Sequence, residues 1–191
     1  APAQAAEPGS EAARARALYD AIFERLLAVA PQTATALGLD IGRHAAARSR
    51  LNDRSPAGRM NVLGPLIDAW PQLQSIDAAR LAGRDRSDFE TIGWVAAISR
   101  EIASHPFGGI DSYAYPVPYV VSQLTGAYQS TPDFLATKHP IESAADAEAY
   151  LARLDAFARE VGHDTGRARD DLKRGIVPPD FVADKTLLQL R

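Results

Sequence analysis

Cysteine is absent from all 191 residues, and methionine occurs once. Disulfides, thiolate nucleophiles and cysteine-ligated zinc are thereby excluded. Long hydrophobic runs are also missing: no apolar stretch approaches the roughly 18 residues needed to span a bilayer. Neither sign of charge dominates, with 21 Lys and Arg against 24 Asp and Glu and a formal charge of −3. The arginines at 14, 16, 84, 86, 167 and 169 are interleaved with acids and read as solvated helix faces. Without a basic stripe, nucleic acid is not an expected partner. Gly-x-Ser-x-Gly, a P-loop and any two histidines at i and i+4 are missing too. The histidines are His44, His105, His139 and His163, and their spacing gives no zinc-hydrolase helix. His105 and His139 each precede a proline and read as turn residues. Asp170 and Asp171 are adjacent carboxylates on a stretch that reads as solvated. No self-contained active site is legible, and no catalytic or metal residue is expected in this chain.

What is present is a globular composition, 46% hydrophobic and 24% charged. The first nine residues, Ala1 to Gly9, are small, Pro-containing and unpatterned. They read as a disordered leader left after export-signal removal, which places the protein in the periplasm or outside the cell. Residues 10–191 read as mainly α, a helical bundle with a long Pro/Gly-rich irregular segment. Ser10 is a candidate N-cap for a helix carrying Leu18, Ile22, Leu26 and Val29, which Pro31 ends. A short helical stretch from Thr33 to Leu39 should close at Gly38 or Gly42. Ser55-Pro56 opens another helix, which Pro65 and Pro71 should kink or divide. Ser87 with Glu90 forms a capping-box pattern before Phe89, Ile92, Val95, Ile98 and Ile102.

Between His105 and Pro140 the breakers are too dense for a long helix. Alternation at Tyr113, Tyr115, Val117, Tyr119 and Val121 allows a short edge strand over 113–121. Ser143 with Asp146 then caps a long helix whose expected apolar face is Ala147, Tyr150, Leu151, Leu154, Phe157, Ala158 and Val161. Gly162 and Gly166 are its weak points and Gly175 its expected C-cap. Pro178-Pro179 opens a last helix with Phe181, Leu187, Leu188 and Leu190. The chain stops at Arg191 inside that apolar pattern, which reads as a truncation.

The strongest positive feature is the Tyr/Gln-rich run from Pro118 to Ser130. Tyr119, Ser122, Gln123, Tyr128 and Gln129 offer uncharged donors and acceptors suited to peptide amides or sugars. A structural strap is the equal alternative, with the tyrosines packed and their hydroxyls on backbone partners.

Several pieces together resemble the bacterial "domain of unknown function 885" proteins, described as exported or twin-arginine-signal proteins. They are Asn52-Asp53-Arg54-Ser55, Pro106-Phe107-Gly108-Gly109, and Tyr119-Val120-Val121-Ser122-Gln123 running to Gly126-Ala127-Tyr128-Gln129. Further along come Pro132-Asp133-Phe134-Leu135, His139-Pro140-Ile141, Ala147 to Leu154, and Pro178-Pro179-Asp180-Phe181. The resemblance runs from about Ala17 to Arg191 and implies a much longer helical protein, of which this is roughly the first third. It implies a zinc-metallopeptidase-like hydrolase with a His-Glu-x-x-His helix later in the chain. Zinc is then expected in the full-length protein and no cofactor in these residues. The expected partners are the C-terminal portion of the same protein and a peptide substrate. On this resemblance the helices form one wall of a substrate channel lined by the Tyr/Gln positions. The alternative is a non-catalytic binding or scaffold module using residues 113–130.

Overall fold

A computed structural model of the chain describes residues 9–110 and 116–190. It is mainly α. Seven α-helices occur among the described residues, together with two 3-10 helices and a two-stranded ribbon. The helices are α1 Glu11–Val29, α2 Pro31–Ala36, α3 Pro56–Gln74, α4 Gly83–Ser104, α5 Ala127–Thr137, α6 Ala144–Lys173 and α7 Asp180–Gln189. Strand β1, Gly109–Ile110, pairs antiparallel with β2, Pro116–Val117, placing Gly109 opposite Val117. No described helix is long and apolar enough to cross a membrane.

Local chemistry explains most boundaries. The Ser10 hydroxyl accepts from the Ala13 N–H and the Ser55 hydroxyl from Gly58, so both serines cap their helices. Ser143 accepts from the Asp146 N–H, closing half of the expected box on α6. That helix ends with Gly175 at φ +81, Ile176 N–H on Asp171 O and Gly175 N–H on Leu172 O. This is the paired 6→1 and 5→2 closure that a left-handed glycine permits. Gly38, at φ +68, closes α2.

The structure adds to or departs from the expectations at four places. Of the two effects expected of Pro65 and Pro71, division does not occur: α3 runs unbroken through both. α4 begins at Gly83, four residues before Ser87, and Glu90 pairs with Arg86 at 2.6 Å instead of closing a capping box. An 11-residue helix, α5, survives inside the Pro-rich segment with Pro132 within it. Finally, within the described part of 113–121 only Pro116 and Val117 are strand; Tyr113 and Tyr115 lie outside the described residues.

The chain forms two compact units. One comprises the described part of Ala1–Leu26 with Leu63–His105. Its core joins Ile22, Leu66, Ala69, Leu73 and Ala96, the faces of three helices, flanked by Leu18, Phe89, Ile92 and Val95. Arg16 grips Asp85 with two hydrogen bonds of 2.6 and 2.9 Å, and this pairing holds the Asp85 carboxyl below its usual range. The other unit comprises Leu27–Val62 and Pro106–Arg191. Its apolar clusters are small: Leu51, Phe134, Leu135 and Ala156 in one, Leu27, Ala34 and Ala47 in another. Charged side chains of α6 do much of the remaining joining.

Candidate functional site

The buried stripe of α6 is Asp146, Ala149, Arg153, Ala156, Glu160, Asp164 and Asp171, which follows helical spacing but is mostly charged. The apolar face expected from the sequence is instead partly turned outward, with Leu151 at 59% exposure. Asp171, expected on a solvated face with Asp170, is buried. Arg167, likewise expected in solvent, reaches the carbonyls of Arg54 and Gly108.

Each charge of the stripe ties α6 to another segment of the chain. Arg153, 0% exposed, donates to His139 Nδ1 at 2.5 Å, Thr35 Oγ1 at 2.6 Å and the carbonyls of Ala47 and Arg50 at 3.0 Å. Burial pushes its guanidinium down to about 10, against the opposing pull of Asp40. Asp164 accepts Arg54 Nε at 2.8 Å and the Ala127 N–H at 2.6 Å. It thus supplies from another helix the N-terminal cap that Gly126 cannot offer α5. Glu160 takes the Arg54 N–H at 2.9 Å, and Asp171 takes the Gly108 N–H at 2.9 Å. Gly108 sits at φ +66, and a Cβ there would lie 2.2 Å from Val117 O, so only glycine fits this close approach.

These anchors frame a cleft of about 410 Å³. Arg54, Arg59, Lys138 and Arg167 line it with Asp53 and Asp133, and Val62, Ile110 and Phe134 supply apolar wall. Gln32, Asn52, Thr125, Gln129 and Ser130 add uncharged donors and acceptors. Burial lowers the guanidinium values of Arg59 and Arg167, with Asp171 opposing in both. Burial alone would raise Asp53, but Ser55 and nearby His163 and Arg159 hold it below the ordinary carboxylate value.

The five residues singled out in the Tyr/Gln run part company. Gln129 lines the cleft and is exposed. Tyr119 lines a separate groove of about 280 Å³ with Val120, Leu172, Ile176 and Leu187. Ser122 and Tyr128 hold the strap together: the Tyr128 hydroxyl donates to Ser122 O at 2.7 Å, and Ser122 Oγ accepts the Leu124 N–H. Gln123 is half-buried and lines neither space, with its Oε1 lacking a partner. Sequence reasoning missed Asn52, Arg54, Arg59, Lys138 and Arg167 as cleft residues. Asn52-Asp53-Arg54-Ser55 was the available signal, since a charged motif before a helix cap is often a functional loop.

Zinc of the hydrolase type does not fit the histidines here. His139 is buried with Nε2 on Asp146 O at 2.9 Å and Nδ1 taken by Arg153. His105 contacts Glu101, and His44 contacts Arg43. None of these three histidines shares a helical face with another.

The family model described as "Bacterial protein of unknown function (DUF885)" matches residues 31–191. No curated protein matches the chain. Among solved structures, the chain is similar to a presumed lipoprotein from Colwellia psychrerythraea, with TM-score 0.77 and 19% identity. The match covers 95% of this chain and 31% of that one, so the chain spans under a third of the neighbour's length.

Proposed function

This chain belongs to the bacterial family of unknown function DUF885, and on that premise we propose a role for it within a larger hydrolase. It is the N-terminal, substrate-channel or scaffold part of an exported zinc-metallopeptidase-like protein whose zinc motif lies outside these 191 residues. The observation that carries this reading is the cleft. Carboxamides and hydroxyls stand beside apolar wall there, a combination suited to an extended peptide backbone. Gln129 comes to it from the segment that the sequence marks for amide recognition. The limited span of the chain along its solved neighbour, and that neighbour's presumed lipoprotein character, support a larger exported protein.

In this role the chain's own residues bind and orient the substrate, while a zinc held elsewhere supplies Lewis-acid chemistry. The rest of the protein docks on the apolar side of α7, where Phe181, Leu187, Leu188 and Leu190 are exposed, Leu188 at 70%. The test uses the full-length protein. It should contain stoichiometric zinc and cleave peptides. Gln129→Ala should raise KM roughly fivefold with kcat unchanged, the cost of one neutral hydrogen bond made equally in ground and transition states. A full-length protein without zinc or peptidase activity would sink this reading in favour of a non-catalytic binding module.

A further inference from the structure

Glu160 and His163 stand three residues apart on α6, so both project from one side of the helix. Asp53, from the segment leading into α3, meets them there. His163 Nδ1 lies 3.2 Å from Glu160 Oε2 and 3.8 Å from Asp53 Oδ1. One ligand atom from each of the three lies within 4.8 Å of the others. Donors bound at about 2.1 Å to one ion are separated by about 3–3.5 Å, so only small side-chain rotations would close this set.

Both carboxylates accept backbone donors on the oxygens that face His163, and Arg159 Nε donates to the other Glu160 oxygen at 3.2 Å. Asp53 Oδ1 accepts the Ser55 N–H at 2.8 Å, and Glu160 Oε2 accepts the Arg54 N–H at 2.9 Å. Backbone donors cannot swing away, so each carboxylate keeps its orientation, as supporting hydrogen bonds do around metal ligands. The first turn of α3 has Gly58 at the point where a Cβ would lie 2.5 Å from Asp53 Cγ. Space for the Asp53 side chain therefore depends on that glycine. Glu160 is only 3% exposed, which restricts its freedom further. The Glu-x-x-His spacing is one by which helical bundles present a carboxylate and an imidazole to a single ion.

We propose that Asp53, Glu160 and His163 bind one divalent transition-metal ion of the zinc or cobalt(II) type beside the cleft. A set of one nitrogen and two carboxylates suits such ions, and three protein ligands leave a coordination position open. Asp53 also lines the cleft, so the site adjoins the space proposed for substrate. The site is separate from a His-Glu-x-x-His zinc and does not depend on the hydrolase reading. It departs from the expectation that these residues hold no metal, because Asp53 is joined to the α6 pair only by tertiary folding.

The test is a cobalt(II) titration of the purified chain followed by its visible absorption, then displacement by zinc. One equivalent should bind. His163→Ala and Asp53→Asn should each weaken binding on the order of tenfold or more, because each removes a ligand rather than a supporting bond. His105→Ala, at an exposed histidine outside the set, should leave it unchanged. Circular dichroism identifies any variant that has lost its fold, and either ligand substitution suffices. Absence of a cobalt spectrum, or binding that persists through both ligand substitutions, would overturn the proposal.

Discussion

Arg153 shows how much one side chain carries in the unit built on α6. Its guanidinium serves His139, Thr35 and the carbonyls of Ala47 and Arg50, and stacks 4.8 Å over the Phe134 ring. Arg153→Met keeps most of the volume but leaves those buried acceptors without a donor. The substitution should cost about 1–3 kcal/mol in urea unfolding, the range for leaving buried acceptors unsatisfied. Arg153→Lys should recover only part, because one ammonium cannot match a planar fork of five N–H donors. A loss below about 1 kcal/mol for Arg153→Met would show that water replaces the guanidinium there. None of this is legible in the sequence. Arginine in an amphipathic pattern reads as solvated because unpaired burial of its charge is so costly. Its partner Thr35 lies 118 residues away.

At the scale of the element, α6 separates what local chemistry announces from what tertiary structure decides. Its start at Ser143 and its end at Gly175 are legible, because a capping hydroxyl and a left-handed glycine act within a few residues. Its buried face is not, because hydrophobic periodicity assumes that burial follows apolarity. The same assumption puts Asp171 in solvent, although it holds the Gly108 N–H. Two substitutions separate the two faces. Leu151→Lys, on the side expected to be core, should change stability by no more than about 0.5 kcal/mol. Asp164→Ala should cost about 3–5 kcal/mol, since it strands Arg54 and removes the cap from α5. Equal effects in thermal or urea unfolding would contradict the observed orientation of the helix. Proline misleads in a related way. Pro132 removes one backbone donor, yet α5 forms with its N-terminus held by Asp164, a partner the local sequence does not contain.

For the whole molecule, the helical class follows from periodicity and caps, whereas two of the three divisions between the units have no compositional mark. Two of the divisions fall within α1 and α3, and the third, between His105 and Pro106, opens the Pro/Gly-rich segment. What the units share is dependence on ionised carboxylates: Asp85 in one, Asp40, Asp53 and Asp146 in the other. All four have folded values held below their ordinary one. Asp146 is displaced furthest, to about 2 from 3.8, by the Ser143 hydroxyl first and then by Arg48. A carboxyl whose folded value is lowered binds protons more readily when unfolded. Its contribution is therefore complete above the unfolded value and disappears as pH falls through the folded one. The thermal midpoint should hold from neutrality to about pH 4 and drop between there and about pH 2, the window set by Asp146. Asp146→Asn loses the ion pair with Arg48, so this variant should be less stable than the parent at neutral pH. The two curves should converge as the parent's own carboxylate protonates. Parallel curves down to the lowest pH would mean that the acid transition is governed by the other carboxylates, and that the Arg48–Asp146 contact at 2.6 Å contributes little to it.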